Sequence, residues 1–549
     1  MISPDAGGGL TGGAHAAAVE LLFGAVALPA AVTAVLALAL WFRVRPSEKV
    51  SSTVVSASFG LVATAAAALG ALLLATGRPM VAVECRAWFG PTPGWHWRLV
   101  ADRLSIPFSA FAAGLIGMIG ALSRRYLHRE GGFWRFYVLL ALFGTGVELV
   151  VLGGSLPLMS VGWELVGLSS ALLISFFHDR PGPVRNGLRA FLTYRTCDIG
   201  LVLAAGWLAA AGSVDLVSPA GAPSPLIGAA RWAGSSGWAT LPVPASSSRA
   251  TLVAAALILA VVGKSALLPA SGWLPRAMEG PTPSSAVFYG ALSVHLGPYL
   301  LLRSHALLEA APAARVVVVG LGLATALHAT LVGRAQSDIK SSLAYASMTQ
   351  VGLIVAEIGV GLYVPAVVHI LGHATIRAAQ ILRSPSLLHD RHHLEQALGG
   401  PSLTHQGRHP ARLIPRRWRP RLYRYAFAHG HLDARLRRLA IPLSRALRTV
   451  DGWQRRAADR IGGAQPARPV PPGPVLRPTG LRPPVPRQPG YPPAGRRPAQ
   501  TLRTIDTIAL HDDIALHDDI ALHDDIALHD DIAVQNDIAV HNDVTVGES

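Results

Sequence analysis

The chain has 549 residues, 51% of them hydrophobic and 15% charged, and its mean hydropathy is positive. This composition excludes an ordinary soluble enzyme and is typical of a protein that crosses a membrane many times. The formal net charge is +16, but the basic residues lie in short loops and in a long C-terminal tail, as they do in membrane proteins. We therefore expect the lipid bilayer as a partner and no nucleic acid.

Long apolar runs dominate the chain up to Arg383. A transmembrane helix needs about 20 apolar residues, and the runs predict about 11 such helices. The fold class is therefore an all-α polytopic membrane protein. The runs lie near 17–42, 52–76, 104–122, 134–152, 155–177, 186–211, 251–268, 283–302, 313–333, 341–358 and 362–383.

The loops between these runs alternate in charge. Basic loops include RVRPSEK, SRRYLHRE and GRAQSDIK, whereas LGGS, the segment 212–250 and GVGLY carry little charge. The positive-inside rule then predicts a multi-pass protein of the cell (plasma) membrane, with the N-terminus outside and the C-terminus in the cytoplasm. The loop 77–103 does not fit this pattern, because it carries four arginines on the predicted outer side.

The run 251–268 is unusual because it contains Lys264 and is followed by Pro269 and Pro275. A lysine in hydrocarbon is costly, and each proline removes a backbone donor that lipid cannot replace. A buried lysine can release its proton near neutral pH, whereas an arginine effectively never does. We expect a broken helix near 264–283 with Lys264 as a proton relay. The alternative is a lysine at a helix end whose ammonium group reaches the membrane surface.

Carboxylates lie inside other apolar runs. Glu164 has no basic neighbour in its own run, so we expect it to pair with Lys264. Glu148 is either a second relay carboxylate or a residue close to the outer surface. Arg195 and Asp198 are three residues apart and are expected to pair locally on one helix face.

Histidines form a polar stripe in the last apolar run. His369, His373 and Arg377 follow one another at i, i+4 and i+8, which places them on one face of a helix. Because histidine titrates near neutral pH, this stripe is predicted to carry protons, with a structural hydrogen-bonding role as the alternative. His295 and His328 are alone in their runs and are expected to be packing residues.

The sequence offers no cofactor or metal site. The two cysteines, Cys85 and Cys197, lack metal-ligand spacing, and there is no glycine-rich phosphate loop between a strand and a helix. We expect no catalytic residue, no cofactor and no metal in this chain.

The character of the chain changes after about residue 384. The segment 421–461 is basic and is predicted to form an amphipathic helix that lies on the membrane or on a partner. The end of the chain repeats the hexapeptide IALHDD. A metal-binding His/Asp array is one interpretation, but near-identical copies favour recent repeat expansion without a function. The predicted domains are N-terminal helices with an external loop (1–100), a core (101–400), a basic amphipathic segment (401–464), a Pro/Arg-rich disordered linker (465–506) and the repeat tail (507–549).

Four segments, in this order, resemble the antiporter-like subunit family: RFYVLLALFGTGVELVVLGGSLPLMSVGWELVGLSSALLISF, GKSALLPASGWLPRAMEGPTPSSA, QSDIKSSLAYASMTQVGLI and HILGHATIRAAQIL. The family includes chain L (chain 5) of proton-pumping NADH:quinone oxidoreductase and its relatives in multisubunit Na+/H+ antiporters. The resemblance covers about residues 100 to 400. It implies a bundle of inverted five-helix repeats with broken helices and proton translocation along a central chain of charged residues.

The resemblance also implies roles for single residues. Glu164 corresponds to the family's motif glutamate, Lys264 to the lysine of the broken helix, His373 to the relay histidine and Asp198 to the aspartate after the arginine. Arg377 stands where the family has a lysine, and an arginine is a poor proton carrier. Full-length relatives continue with further helices and a second broken helix, so we expect an antiporter-like bundle with an incomplete second repeat.

Two functions follow from the resemblance, and a weaker third interpretation is a degenerate remnant with a structural role only. The first is a proton-translocating membrane subunit of an NADH:quinone oxidoreductase, or of a related cation/proton antiporter complex. The second is the membrane subunit of an inorganic-carbon accumulation complex, which would couple the proton gradient to a carbonic-anhydrase-like partner. Both imply other membrane subunits as partners, and a soluble cytoplasmic subunit could bind the basic C-terminal segment.

Overall fold

The computed structural model describes residues 12–84, 97–216, 238–336, 338–397, 415 and 417–461. Within these ranges the protein is a bundle of long helices. The first seven are α1 (Gly12–Trp41), α2 (Glu48–Thr76), α3 (Ser105–Tyr126), α4 (Phe133–Leu152), α5 (Leu156–Ile174), α6 (Pro181–Ala210) and α7 (Ser247–Lys264). The later ones are α8 (Thr282–Ser285), α9 (Leu296–Arg303), α10 (His305–Ala310), α11 (Pro312–Gly333), α12 (Ile339–Val360), α13 (Tyr363–Ala397), α14 (Arg419–Phe427) and α15 (Leu432–Ile461).

Nine helical spans in the described residues are long and apolar enough to cross a membrane. They match nine of the predicted runs, and the span Thr282–Arg303 joins α8 to α9 through a π-helical stretch and a 3-10 turn. The runs 186–211 and 362–383 are helical too, as parts of α6 and α13. Their polar side chains keep them out of this set, so the predicted count of about 11 is not confirmed.

A short antiparallel β-hairpin follows α2, where the sequence analysis expected only a loop. Its strands are β1 (Met80–Glu84) and β2 (Arg98–Asp102), with Met80 opposite Asp102. Arg98 is one of the four arginines that did not fit the charge pattern, and its side chain is buried. The positive-inside rule counts basic residues in loops, and a buried arginine is not such a loop residue. This accounts for one of the four arginines on the predicted outer side.

A buried ion pair ties the hairpin to the end of α9. Arg303 Nη1 lies 2.5 Å from Asp102 Oδ2 and Nη2 lies 3.2 Å from Oδ1, and both residues have no exposed surface. The backbone N–H groups of Ser105 and Ala239 also donate to this carboxylate. Burial by itself would raise the pKa of Asp102, but the charge and hydrogen bonds of Arg303 outweigh it and hold the pKa below its ordinary value.

Glycines let the helices that carry the polar residues approach closely. A Cβ atom on Gly162 of α5 would lie 2.6 Å from the carbonyl oxygen of Gly146 in α4, and the reverse contact would be 2.9 Å. Such small-residue contacts bring backbones together in membrane bundles. This contact places Glu148 and Glu164, two residues beyond the glycines, on adjoining helices.

The basic C-terminal segment is helical in two pieces rather than one. A turn at His429–His431 separates α14 from α15. The hexapeptide repeats and the Pro/Arg-rich linker lie outside the described residues, and the boundaries of the five predicted domains remain predictions.

Candidate functional site

The predicted helix break is confirmed, and Lys264 is the last residue of the helix before it. α7 ends at Lys264, two 3-10 turns at Ala270–Trp273 and Pro275–Glu279 follow, and regular helix resumes at Thr282. The lysine has no exposed surface. Its ammonium is therefore inside the bundle, which excludes the alternative of a side chain that reaches the membrane surface.

Aromatic rings and one carbonyl oxygen surround the Lys264 ammonium. Nζ donates a hydrogen bond to the backbone oxygen of Trp163 at 2.9 Å. It also lies 4.9 Å from the centroid of the Trp163 ring and 4.6 Å from that of Tyr194. Ring faces stabilise a cation, but they fix the position of the ammonium group less firmly than a carboxylate does. The arrangement holds a charge and leaves the lysine without a salt bridge among the described residues.

The carboxylate of Glu164 is paired with Arg195, not with Lys264. The predicted direct pairing of Glu164 with Lys264 was therefore wrong. Arg195 Nη2 also lies 3.7 Å from Asp198 Oδ2, as the i, i+3 spacing predicted. The cause of the error is the interhelical contact between α5 and α6, which brings a nearer cation to Glu164.

Asp198 is the carboxylate more closely tied to Lys264. The indole Nε1 of Trp163 donates to Asp198 Oδ1 at 2.6 Å, while the backbone oxygen of the same tryptophan accepts from Lys264. A Cβ atom on Gly167 would lie 3.1 Å from Lys264 Nζ and 3.3 Å from Arg195 Nη2. The two cations share the space over Gly167, and Asp198 is linked to the lysine through Trp163. The charges of Arg195 and Asp198 therefore both act on the lysine.

The stripe on α13 and a third histidine form a row of neighbouring imidazoles. His373 Nδ1 lies 3.0 Å from His295 Nε2, and Arg377 Nε lies 3.5 Å from His373 Nε2. The rings of His369 and His373 are 6.4 Å apart between centroids. His295 was expected to be a packing residue, but the structure joins it to the row. Only its position inside an apolar run could have signalled this.

The row ends in α12 at two polar groups that the sequence analysis missed. His369 Nδ1 lies 2.8 Å from Glu357 Oε1, and Nε2 lies 3.0 Å from Gln350 Oε1. Glu357 lies inside an apolar run, as Glu164 does. A carboxylate in such a run is a candidate functional residue, so the same criterion would have identified Glu357.

Glu148 is buried and stands apart from both groups. Its Oε2 accepts a hydrogen bond from Ser109 at 2.6 Å, and its side chain has no exposed surface. Protein therefore encloses the carboxyl group, and both of its predicted positions, in the relay or close to the outer surface of the membrane, stay predictions. A cavity of about 10 Å³, lined in part by Val147, Val151 and His295, lies between its helix and the histidine row. That volume is close to the minimum for one water molecule.

Metal binding has no support in the part of the chain that the structure describes. No group of three or more His, Cys, Asp or Glu side chains there is arranged to hold a metal ion.

Buried ionisable side chains beside a broken helix, inside a bundle of apolar helices, are typical of membrane proteins that transport ions. Residues 153–405 match the family described as NADH:quinone oxidoreductase/Mrp antiporter, TM. The resemblance seen in the sequence is thus confirmed over these residues, which match the transmembrane domain of this family.

Individual relatives agree with this assignment. The chain is 33% identical over 299 residues to NADH-ubiquinone oxidoreductase chain 5 of Allomyces macrogynus, a match that covers 54% of this chain and 43% of the relative. It is 36% identical over 298 residues to NADH-quinone oxidoreductase subunit L of Mycobacterium tuberculosis strain CDC 1551, covering 54% and 44%. The chain thus spans less than half the length of these relatives.

A solved structure has the same fold. A chain of the Mrp complex from Dietzia sp. DQ12-45-1b superimposes with a TM-score of 0.54 and 26% identity, over 66% of this chain and 37% of that one. The antiporter-like helical fold is therefore confirmed for the protein.

Proposed function

We propose that this chain is a proton-translocating membrane subunit of a complex I-like NADH:quinone oxidoreductase or of a related cation/proton antiporter complex. The observation that carries the proposal is the buried Lys264 at the end of a broken helix, held by ring faces and a carbonyl oxygen. A lysine in this setting can gain and lose a proton near neutral pH, whereas a fully paired one is fixed in its charged form.

The relay that we propose has two parts. Glu164 and Asp198 change the charge around Lys264, Glu164 acting through its contact with Arg195. His369 and His373 carry protons along α13, and Arg377 supplies a fixed positive charge beside them because it does not readily deprotonate. Glu148 is a further proton-binding group of the proposed relay, and its chain neighbour Val147 lines the small cavity next to His295.

The partners and the location are part of the proposal. The relatives and the solved neighbour are named as subunits of oxidoreductases or as part of an Mrp complex, so we propose other membrane subunits as partners and the plasma membrane as the location. We further propose that the N-terminus is outside and that the basic C-terminal segment, in the cytoplasm, can bind a soluble subunit. A reporter fused after residue 390 tests the orientation, and labelling of this segment from outside the cell would refute it.

The inorganic-carbon function is not favoured by these comparisons. Copurification with a carbonic-anhydrase-like protein, and with no respiratory subunit, would instead favour the inorganic-carbon function over the proposed one.

Proton flux in vesicles tests the proposal. We expect Lys264→Ala to lower the flux by about tenfold or more, in vesicles from cells that express the full chain with its partner subunits. The matched control is Lys49→Ala, which removes an exposed lysine at the start of α2. Equal flux in wild type and Lys264→Ala, with both proteins inserted in the membrane, would refute the proposal.

A further inference from the structure

The C-terminal segment is joined to the bundle by two pairs of a tyrosine and a histidine. Tyr425 of α14 places its hydroxyl 2.8 Å from Nδ1 of His328 in α11. His429, in the turn that follows, places Nδ1 2.7 Å from the hydroxyl of Tyr345 in α12, and these two rings are stacked. The contacts are reciprocal, since each side supplies one tyrosine and one histidine. Such paired contacts fix the turn at one place on the bundle.

The turn has an unusual backbone. His429, Gly430 and His431 all have positive φ angles, of 48°, 69° and 54°. A left-handed conformation is rare for a residue with a side chain, and it persists where surrounding contacts impose it, often at functional sites. A Cβ atom on Gly430 would lie 2.9 Å from His328 Cε1 and 3.0 Å from the Tyr425 hydroxyl. Only a glycine allows the turn to come so close to His328.

The turn closes a small cavity beside the helix break. The cavity has a volume of about 30 Å³, which is enough for a water molecule. His429 and Leu432 line it from the C-terminal side, His328 and Tyr345 line it from the bundle, and the break contributes Ser271, Gly272, Pro275 and Arg276. His429 is exposed, whereas His328 and Tyr345 are buried. The imidazole of His429 therefore contacts both the outside of the protein and the cavity.

The same face of α11 connects the cavity to the segment after Lys264. The backbone N–H of Leu268, in the break, donates to Thr325 Oγ1 at 3.1 Å. Thr325 and His328 are one helical turn apart, so they point to the same side of α11. Trp273, in the middle of the break, donates from its indole Nε1 to the backbone oxygen of Gly263 at 3.0 Å. The break thus extends from the cavity to the helix that ends at Lys264.

We propose that His429 takes up protons from the aqueous phase at the face of the C-terminal segment and delivers them to this cavity, from which they reach the helix break. The imidazole binds one proton from bulk water and releases one proton to water in the cavity, so His429 itself is unchanged after each transfer. Tyr345 orients the ring and His328 receives the proton on the buried side. The inference rests on the proposed function, and it extends the relay with a residue outside the family's matched region.

A pair of neighbouring histidines provides the test. We compare His429→Ala with His431→Ala in the full chain, using proton flux in the same vesicles and chemical rescue with imidazole. His431 is also exposed and also has a positive φ angle, but its ring does not line the cavity. We expect His429→Ala to lower the flux by about tenfold or more and imidazole to restore part of it, while His431→Ala stays within about twofold of wild type.

Two results would overturn the inference. One is normal flux in His429→Ala. The other is a loss of flux that imidazole does not restore and that Gly430→Ala reproduces with a lowered thermal stability, because this pattern indicates a structural turn. Lys264→Ala, measured alongside, separates the two proposals. If Lys264→Ala loses flux and His429→Ala does not, only the role of His429 fails, whereas normal flux in Lys264→Ala contradicts the proposed function itself.

Discussion

Two of the buried cations, Arg303 and Lys264, are held in opposite ways. Arg303 is held by both oxygens of Asp102 and also donates to Tyr299 and to the backbone oxygen of Ala239. Lys264 has one hydrogen bond, to a carbonyl oxygen, and two aromatic faces. An arginine effectively never releases its proton, and here it is also fully paired, whereas a lysine with few partners can deprotonate. Residue type and partners together therefore separate a cation that supports the fold from one that could serve the proposed relay.

The largest effect is expected at the fixed pair. Arg303→Met leaves the Asp102 carboxylate buried without its cation, which should lower the free energy of unfolding by about 3 to 5 kcal/mol. Thermal unfolding in detergent measures this loss, and Arg103→Met, which alters an exposed arginine next to Asp102, is the control. The double variant Asp102→Asn/Arg303→Met should lose less than Arg303→Met alone, since no unpaired charge remains. A double variant at least as unstable as Arg303→Met would contradict the assignment of a structural ion pair.

Acid should weaken the same pair. The pKa of Asp102 is lower in the folded protein than its ordinary value of 3.8, so the unfolded chain binds this proton more readily than the folded one. The contribution to stability is therefore complete above the ordinary pKa and disappears as the pH falls through the lowered value. We expect unfolding midpoints measured below a pH of about 4 to fall less steeply in Asp102→Asn/Arg303→Met than in wild type. Parallel curves for the two proteins would show that Asp102 keeps its ordinary pKa.

Lys264 is expected to affect stability much less than Arg303 does. Replacing a buried charge that has few partners by an apolar side chain of similar length is often neutral or stabilising. We expect Lys264→Met to change the free energy of unfolding by no more than about 1 kcal/mol while proton flux is lost, as measured by thermal unfolding and by the vesicle assay. A loss of stability as large as that of Arg303→Met would show that the lysine stabilises the fold, as Arg303 does.

The sequence was informative where a residue conflicted with its surroundings. Lys264, Glu164 and the histidine stripe were predicted because charged and titratable groups are rare in apolar runs. The helix break was predicted because prolines follow the lysine, and proline removes a backbone donor. These signals are local, and each can be read from a single run.

The partners of these residues could not be predicted in the same way. The contact between His295 and His373 joins residues 78 positions apart, and that between Tyr345 and His429 joins residues 84 apart. Side-chain period identifies the face of a helix, but not which neighbouring helix it meets or which rotamer it takes. Glu164 was assigned to the wrong cation for this reason, because Arg195 reaches it from a different helix.

The smallest effect is expected for the contact between Glu164 and Arg195, which is a partly exposed counterpart of the buried pair of Asp102 and Arg303. The side chains of Glu164 and Arg195 are each about one third exposed, at 37% and 35%, so the pair is held less tightly than Asp102 and Arg303. Interhelical polar contacts in membrane proteins contribute about 0.6 kcal/mol on average in double-mutant cycles. We expect a coupling free energy of about that size for Glu164→Gln with Arg195→Gln, from thermal unfolding of the two single variants and the double variant.

The cycle of Glu164→Gln with Lys264→Met should give a smaller coupling, because Glu164 contacts the arginine and not the lysine. A coupling to Lys264 larger than that to Arg195 would mean that the lysine pairs with Glu164 during the transport cycle, and the relay would then pass directly between those two residues.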